Sequence, residues 1–347
     1  MFWFVVMLDD FVKLFHGSGG QLTDKLIERL FVNKVKFHNV FGGVGLRDFD
    51  DGVSIPIGDF ELVMTSDGYT VDPIFFPGGD IGILAVCGTI NDLAVMGAKP
   101  IAIMDNIIVE EGFPMVDLEL VVNSMIKTAE ENGVAILGGD FKVMPRGKLD
   151  KIVIGMTGIG LVSRGKIITD RGIKCGDKII VTGSIGEHEI ALMSVREGLS
   201  FIGEIKSDVA AIHNVIEAAL EVGGVHAAKD PTRGGLAGVL NVWASKCNVG
   251  IWIDESKIPI RPEVKAVCEM MGLDPLYLAC EGRAVLSVNP AYAEDILNRI
   301  REFRGCESAN IIGEVRSSPK GYVIMETVIG GSRIVPPPIG SQLPRIC

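Results

Sequence analysis

The chain has little positive charge. It carries 33 lysine and arginine residues against 44 aspartate and glutamate residues, and its formal net charge is −11. Because nucleic acids are bound largely through lysine and arginine contacts to phosphates, this balance argues against a nucleic-acid surface. Any phosphate that the protein binds would be held by a cation and by backbone amides rather than by many lysines.

The cysteines form no C-x-x-C pair, and their number is odd. The seven positions are 87, 175, 247, 268, 280, 306 and 347. Small secreted proteins that depend on disulfides tend to have an even number of cysteines at regular spacing, so this pattern favours a reduced, cytoplasmic protein.

A membrane-spanning segment is also missing. Residues 1–8 are apolar, but Asp9 and Asp10 follow, and there is no basic n-region or cleavage site. The segment is therefore not a convincing signal peptide, and it is far shorter than the roughly 20 apolar residues that cross a bilayer. An edge strand or an over-long start is the simplest interpretation. No other segment reaches membrane length without charges.

Apolar residues and glycine are abundant. Hydrophobic residues make up 48% of the 347 positions and charged residues 22%, which excludes general disorder. At about 150 residues per domain, this length predicts two domains. The 43 glycines predict many tight turns or phosphate-handling loops.

Strand-like and helix-like segments alternate, which predicts an α/β fold. The predicted helices are 21–33, 80–96, 115–132, 187–197, 207–222, 236–246, 262–271 and 291–303. The predicted strands are 61–66, 100–109, 134–137, 151–160, 178–182, 249–253, 284–288 and 322–326. A charged, aperiodic connector near 163–176 separates an N-terminal domain, 1–163, from a C-terminal domain, 164–330. The change of composition at Gly331, with three prolines at 336–338, predicts a mobile tail over 331–347.

A glycine-rich segment, His16-Gly17-Ser18-Gly19-Gly20, precedes the first predicted helix. Glycines let backbone N–H groups approach a phosphate, and a helix N-terminus favours an anion. Taken alone, the segment is better explained as a plain turn, and its spacing is not that of a P-loop. It is a candidate phosphate-binding loop only in combination with the residues that follow.

Four aspartates are candidate metal and phosphate ligands: Asp51, Asp67, Asp92 and Asp140. Asp67 and Asp140 follow predicted strands, and ligands of open α/β sheets bind beyond strand ends. Asp92 shares a small, apolar helix face with Ile81, Ala85 and Gly88, where a carboxylate needs a partner or a metal. Each aspartate alone is better explained as a turn or backbone-binding residue. The set, beside the glycine-rich loop, favours Mg²⁺ that also touches nucleotide phosphates.

Three further side chains are weaker candidates. Lys142 could steer a phosphate or move a proton, and a surface cation is equally consistent with its surroundings. Arg233, in Asp230-Pro231-Thr232-Arg233-Gly234-Gly235, suits phosphate or carboxylate recognition, while Asp230 or Thr232 could cap the next helix. Glu281 lies in a predicted loop, where a lone glutamate is usually just solvated.

Two more residues are considered as candidate functional residues: the last residue, Cys347, and His188. A thiolate on a mobile arm is a ready nucleophile or group carrier, although composition alone does not exclude an accidental cysteine. A prenylation signal is disfavoured because no residue follows this cysteine. His188, in the glycine-rich turn 183–188, is better explained as a cap or packing residue than as a catalyst.

Together these segments resemble one family. From about residue 16 to 347 the chain is similar to the HypE carbamoyl dehydratases of NiFe-hydrogenase maturation, within the aminoimidazole-ribonucleotide-synthetase-like superfamily. The resemblance rests on HGSGG at 16–20, VDPIFFPGGDIGILAVCGTINDLAVMGAKP at 71–100, DPTRGG at 230–235 and QLPRIC at 342–347. The long central stretch and the closing PRIC are specific in combination.

The resemblance implies a two-domain synthetase-like fold, with an N-terminal sheet that forms a barrel in a homodimer and a C-terminal α/β sandwich. ATP and Mg²⁺ would bind near the dimer interface, with Asp51, Asp67, Asp92 and Asp140 as the metal and phosphate carboxylates. HypF would load Cys347 with a carbamoyl group, and ATP would activate its oxygen as an iminophosphate-like species. Loss of phosphate would leave a thiocyanate, and the cyanide would pass to iron held by the HypC–HypD complex. Lys142 and Glu281 would handle protons at the amide nitrogen, and which of them is the immediate base stays open.

The chain departs from the family pattern at two positions. Phe141 stands where a small hydroxyl residue is usual, which puts a hydroxyl contact to phosphate there in doubt. Cys280 stands where asparagine is usual, and a disulfide with Cys347 is conceivable if the tail docks nearby.

Other functions in the superfamily fit less well. A cyclising synthetase or small-molecule kinase does not need a terminal cysteine, and a selenophosphate synthetase would want a catalytic cysteine or selenocysteine in the N-terminal glycine-rich region. A non-enzymatic carrier that uses Cys347 as a handle would have no use for the aspartate set.

Overall fold

The computed structural model describes residues 11–17, 19–198, 205–339 and 345–347. The apolar start, Ser18 of the glycine-rich segment and residues 342–344 of the closing QLPRIC motif lie outside the described residues.

The described helices and strands alternate along the chain. The helices are α1 Gly20–Ile27, α2 Ile81–Val95, α3 Met115–Glu131, α4 Glu187–Arg196, α5 His213–Val222, α6 Gly235–Cys247, α7 Pro262–Met271 and α8 Ala293–Arg301. The strands are β1 Val53–Ile57, β2 Phe60–Tyr69, β3 Phe75–Phe76, β4 Gly79–Asp80, β5 Lys99–Glu110, β6 Ala135–Met144, β7 Ile152–Ser163, β8 Lys178–Val181, β9 Val225–Lys229, β10 Gly250–Asp254, β11 Val285–Val288, β12 Asn310–Arg316, β13 Tyr322–Glu326 and β14 Ser332–Val335. Within the described ranges, no helix is both long enough and apolar enough to cross a membrane.

The first large sheet has the strand order β1-β2-β7-β5-β6, antiparallel except for the β5–β6 pair. Helix α2 packs against β2, β5 and β7 on one side and against α5 and β9 of the C-terminal half on the other. Because α2 is apolar around its whole circumference, it suits this sandwiched position, and 13 of its 15 residues are buried. Asp80 caps the helix by accepting hydrogen bonds from the N–H groups of Gly82 and Ile83.

The edge strand β6 is exposed along its entire length. Leu137, Phe141 and Val143 are 65%, 51% and 58% exposed, and all three lie on this strand. An exposed apolar edge strand is a liability that proteins usually cover, so this edge of the sheet needs a partner surface.

The second large sheet has the strand order β14-β13-β10-β12-β8-β11-β9. Successive side chains of a strand point to opposite faces of the sheet, so the residues of β8 pack into two different cores. Ile179 and Val181 pack with α6 on one face, and Ile180 packs with α5 and α8 on the other. The C-terminal half is therefore an α/β sandwich, and with the first sheet it confirms the predicted mixed α/β class.

The predicted elements agree with the structure apart from a few omissions and two strand ends. The strands β2 and β6 continue to Tyr69 and Met144, so Asp67 and Asp140 lie within strands and not, as predicted, after them. The strands β1, β3, β4, β9, β12 and β14 were not predicted, and the helix predicted over 207–222 begins only at His213. Residues 205–212 before it are not helical, and there the Asp208 carboxylate accepts the backbone N–H groups of Glu281 and Gly282, at 3.2 Å each. The segment predicted as a tail from 331 starts as β14, which pairs with β13. The domain boundaries themselves stay predictions.

A buried charge network joins the two halves. The Lys246 ammonium on α6 lies 2.7 Å from Asp170 Oδ2, 3.1 Å from Asp50 Oδ1 and 3.1 Å from the carbonyl oxygen of Phe49. The other oxygen of Asp170 accepts a hydrogen bond of 2.6 Å from the indole N–H of Trp243. The network fixes the segment before β1 to the C-terminal sandwich.

Replacing Lys246 with methionine should destabilise the fold. The change leaves Asp50 buried without its cation and Asp170 with Lys229 alone, and breaking a buried ion pair from one side costs about 3–5 kcal/mol. Urea denaturation measures the loss of unfolding free energy. The matched control is Lys257→Met, because Lys257 pairs with Asp254 at the surface and should lose under ~1 kcal/mol. Equal losses in both variants would contradict this assignment.

Candidate active site

Three carboxylates from different parts of the fold come together at the boundary between the halves. Asp51 precedes β1, Asp92 lies on α2, and Asp230 follows β9. One oxygen atom of each lies within 4.8 Å of the others. Two of the four predicted metal aspartates, Asp51 and Asp92, belong to this group.

The surrounding residues orient these carboxylates. Asp92 Oδ2 accepts a hydrogen bond of 2.6 Å from the Thr65 hydroxyl on β2. Asp51 Oδ1 lies 2.5 Å from the ammonium of Lys229, the last residue of β9, and the same ammonium lies 3.6 Å from Asp170. Lys229 therefore links the carboxylate group to the buried network around Asp170.

Burial and mutual repulsion make the carboxylates reluctant to ionise together. Burial is the main cause of the raised pKa of Asp92, and the charges of Asp67, Asp230 and Asp51 raise it further. Burial and the charge of Asp51 raise the pKa of Asp230 to about 7, although Lys229 opposes the shift. A cation held between the carboxylates would remove this repulsion.

The donor set suits Mg²⁺. Magnesium prefers hard oxygen ligands at about 2.0–2.1 Å, so ligand atoms on opposite sides of the ion lie about 4 Å apart. Three carboxylate oxygens within 4.8 Å of one another need little movement to reach such a geometry. Asp51, Asp92 and Asp230 are therefore the residues that would hold the ion.

A small cavity lies beside this group. Its volume is about 30 Å³, and its lining includes Asp67, Asp92, Asp230, Arg233, Glu281 and Cys347, with Gly68, Tyr69, Gly88 and Thr232. Gly88 lets the side chain of Tyr69 lie against α2, because a Cβ at this position would fall 2.5 Å from the Tyr69 hydroxyl. The cavity is thus lined both by the candidate metal ligands Asp92 and Asp230 and by the candidate catalytic residues Glu281 and Cys347.

Cys347 lies in this cavity. The Thr70 backbone N–H and hydroxyl group donate hydrogen bonds of 3.0 and 3.1 Å to its main-chain oxygen. Burial raises the pKa of the Cys347 thiol to about 12, and Glu281, Asp67 and Asp230 raise it while Arg233 lowers it. The docked cysteine is therefore a neutral thiol at physiological pH rather than a nucleophilic thiolate.

Glu281 is almost fully buried beside Cys347. Its side chain is 2% exposed, and its Oε1 atom has no hydrogen-bond partner. Burial raises its pKa well above the usual range, and the charges of Asp230 and Asp208 add to the shift. A buried carboxyl oxygen that faces a cavity without a partner is available for proton transfer.

The glycine-rich segment reaches the site through Arg233. The guanidinium donates a hydrogen bond of 3.4 Å to the carbonyl of Gly17, and a Cβ at Gly19, where φ is +78°, would lie 2.9 Å from the Arg233 Cβ. A Cβ at Gly20 would lie 2.6 Å from the carbonyl oxygen of Pro338. Only glycine allows this close packing beside the cavity.

Asp140 and Lys142 are not part of the cavity. Both lie on the exposed strand β6, where they pair with each other, and Lys142 lowers the pKa of Asp140. Phe141, between them, is 51% exposed. A single chain thus brings together Asp51, Asp67, Asp92, Arg233, Glu281 and Cys347, and leaves Asp140 and Lys142 outside.

Cys280 does not face Cys347. Its sulfur accepts a hydrogen bond of 3.3 Å from the Gly186 N–H and packs into the core of the C-terminal sheet, whereas Cys347 packs with the core around α2. All seven cysteines are free thiols. The structure gives no support to the conceivable disulfide between the two.

Sequence reasoning missed Asp230 and Lys229 as members of the carboxylate group. Asp230 was weighed only as a helix cap, and the position of Lys229 next to it carried no motif. The signal that could have found them is the strand β9, because residues at its carboxyl end meet the other site residues.

Two family models match the chain. The AIR synthase related protein N-terminal domain matches residues 49–162, and the C-terminal domain of the same family matches residues 174–326. All three residues of the carboxylate group lie inside these two ranges.

Relatives match over nearly the whole chain. A hydrogenase expression/formation protein of Methanocaldococcus jannaschii is 51% identical over 96% of this chain and 98% of that protein. Carbamoyl dehydratase HypE of Rhizobium leguminosarum bv. viciae is 45% identical over 97% of this chain and 95% of that protein.

Solved structures agree. A chain in the crystal structure of a HypE–HypF complex is 41% identical, with a TM-score of 0.84 over 92% of this chain and 100% of that chain. A HypE crystal structure in complex with ATP is 41% identical, with a TM-score of 0.81 over 97% of this chain and 100% of that chain. With two family-model matches and relatives of this identity over nearly its full length, the chain belongs to the AIR synthase related proteins and, within them, to the HypE carbamoyl dehydratases of hydrogenase maturation.

Proposed function

We propose that the protein uses ATP to dehydrate a carbamoyl group carried on Cys347 to a thiocyanate. The observation that carries the proposal is the cavity in which Cys347 meets Glu281, Arg233 and two members of the carboxylate group, Asp92 and Asp230. The HypE structure that contains ATP supports nucleotide binding by this family. The product supplies the cyanide ligands of the hydrogenase iron centre.

The reaction needs an oxygen that leaves and a nitrogen that loses its protons. The thiocarbamate S–C(O)NH₂ and ATP give S–C≡N, ADP and phosphate, and the carbamoyl oxygen ends on the phosphate. Mg²⁺ bound by Asp51, Asp92 and Asp230 would neutralise the nucleotide phosphates. The two amide protons leave to bases, and the unpartnered Oε1 atom of Glu281, which lines the same cavity as Cys347, is a candidate base.

The protein must expose Cys347 for carbamoyl transfer to its sulfur, which comes before dehydration. The docked thiol is neutral because burial raises its pKa to about 12, so carbamoyl transfer to its sulfur requires the residue to leave the cavity. HypF supplies the carbamoyl group in our proposal, in keeping with the solved HypE–HypF complex. A HypC–HypD complex would accept the cyanide. The seven free thiols are consistent with a cytoplasmic location for these steps.

Intact mass measurement of the C-terminal peptide tests the reaction. After loading by HypF, addition of ATP and Mg²⁺ should remove one water from the adduct on Cys347. The loss should be absent without ATP and at least about 100-fold slower in Asp92→Asn, because the metal site loses one of three anionic ligands. Asp254→Asn, at the half-exposed end of β10, is the matched control and should react normally. A carbamoyl adduct that persists in wild-type protein would leave Cys347 as a carrier.

Replacing Glu281 with glutamine tests its role as a base. The variant keeps the size of the side chain but cannot accept a proton, so dehydration should slow by about 10²–10⁴-fold while ATP binding is retained. Because burial raises the pKa of Glu281, the ionised base is lost as pH falls, and the wild-type rate should rise with pH. Quench-flow rates between pH 6 and 9 measure both effects. An unchanged rate in Glu281→Gln would remove this residue from proton transfer.

A homodimer explains where Asp140 and Lys142 act. Both lie on the uncovered apolar strand β6 and outside their own chain's cavity. Pairing of this sheet with a second copy would cover the strand and close a barrel. We infer that Lys142 and Asp140 then serve the site of the partner chain, near the bound nucleotide.

Mixed dimers test this arrangement. Lys142→Ala and Asp92→Asn chains should each be inactive alone. Co-expressed at equal levels, they should recover about a quarter of wild-type activity, because half of the dimers are mixed and each mixed dimer has one intact site. Lys127→Ala, on the exposed face of α3, is the matched lysine control. No recovery in isolated mixed dimers would place Lys142 in its own chain's site.

A further inference from the structure

The end of the chain is held by its backbone rather than by the cysteine side chain. The carbonyl oxygen of Ile346 accepts a hydrogen bond of 3.0 Å from His188 Nε2. The main-chain oxygen of the next residue, Cys347, accepts from Thr70. The carbonyl of Arg345 accepts from the Arg196 guanidinium at 2.5 Å. Main-chain oxygens of three consecutive residues are therefore bound by groups elsewhere in the fold.

His188 is fixed in one tautomer. A carbonyl oxygen can only accept, so His188 Nε2 carries the hydrogen and Nδ1 must accept. The partner of Nδ1 is the Ser207 hydroxyl, at 2.7 Å, and that hydroxyl in turn accepts from the Val209 N–H at 3.0 Å. The Ser207 hydroxyl hydrogen is thus directed at Nδ1, and the chain of donors ends on the Ile346 carbonyl.

The environment of His188 is closed. The imidazole is fully buried and meets the ring of Phe76 edge-on, with centroids 5.4 Å apart. Burial lowers the pKa of His188 to about 4, so the ring stays neutral at physiological pH. The side chain does not cap α4, as the sequence suggested it could. The imidazole makes two polar contacts, one with the Ser207 hydroxyl and one with the Ile346 carbonyl at the end of the chain.

Ile346 provides the apolar half of the contact. Its side chain is 3% exposed and packs into the core around α2, in a cluster that includes Leu192 and Ala279. The neighbouring Cys347 side chain reaches the cavity beside Glu281. The hydrogen bonds at the end of the chain are made by main-chain oxygens and do not involve the Cys347 sulfur. They can therefore persist while the group attached to the sulfur changes.

We propose that His188 is a positioning residue that latches the docked C-terminal segment through the Ile346 carbonyl and so places the Cys347 sulfur beside Glu281. The inference deepens the proposed function and rests on it for the catalytic consequence. The latch itself is a property of the unloaded protein and is measurable without ATP or HypF.

Alkylation of Cys347 in the unloaded protein tests the latch. Iodoacetamide incorporation, followed by mass measurement of the C-terminal peptide, should be about tenfold faster in His188→Leu, because the docked state loses a buried hydrogen bond. His188→Gln retains a donor at the Nε2 position and should alkylate near the wild-type rate. His213→Leu, in the same half of the chain but at the start of α5, is the matched control. An unchanged rate in folded His188→Leu overturns the proposal.

A second variant keeps the test valid if His188→Leu does not fold. Ser207→Ala leaves the imidazole in place and removes the donor that fixes its tautomer, so alkylation should rise about threefold. A wild-type alkylation rate in folded Ser207→Ala would contradict the latch.

The rate of dehydration in a single turnover then measures whether losing the His188 contact affects catalysis. At saturating ATP, His188→Leu should slow by about tenfold with an unchanged KM for ATP, and His188→Gln should restore most of the rate. A raised KM for ATP with an unchanged maximal rate would show a structural effect instead and overturn the positioning role. Failure of wild-type protein to dehydrate would reject the proposed function alone, since the alkylation result is independent of it.

Discussion

The repulsion among Asp51, Asp92 and Asp230 is the constraint on which the rest of the site depends. Two unit charges about 4–5 Å apart repel by about 3–4 kcal/mol at an effective dielectric constant of about 20. The fold tolerates this because Lys229 binds Asp51 and because the raised pKa values let Asp92 and Asp230 carry protons. The remaining electrostatic repulsion is concentrated between the N-terminal and C-terminal halves, at a position where a bound cation would relieve it.

The same burial that prepares the carboxylates also controls the cysteine. Inside the cavity the Cys347 thiol is neutral, which suits a site that must act on a group already attached to the sulfur rather than attack a new one. Outside it, the thiol would regain its ordinary reactivity. One residue can thus be a nucleophile in one place and a substrate carrier in another. The backbone contacts at the end of the chain separate these two states.

The order of helices and strands was largely readable from the sequence, because α2, α3 and the long strands β5 and β7 have clear apolar patterns. The strands β9 and β12 were missed, and each forms its hydrogen bonds with strands distant in sequence. The irregular segment before α5 was predicted as helix because its own residues permit one. Contacts from Asp208 to the loop after residue 280 override that local preference.

The sequence by itself determined the mixed α/β class, the family and the chemical identity of most site residues, because motifs such as the glycine-rich segment and the closing PRIC are local. The tertiary structure decided which of these residues meet. It brought Asp230 and Lys229 to Asp51 and Asp92, gave His188 a partner at the end of the chain, and left Asp140 and Lys142 on an uncovered strand. Distances between side chains of remote segments follow from sheet order and helix packing, which no local pattern encodes.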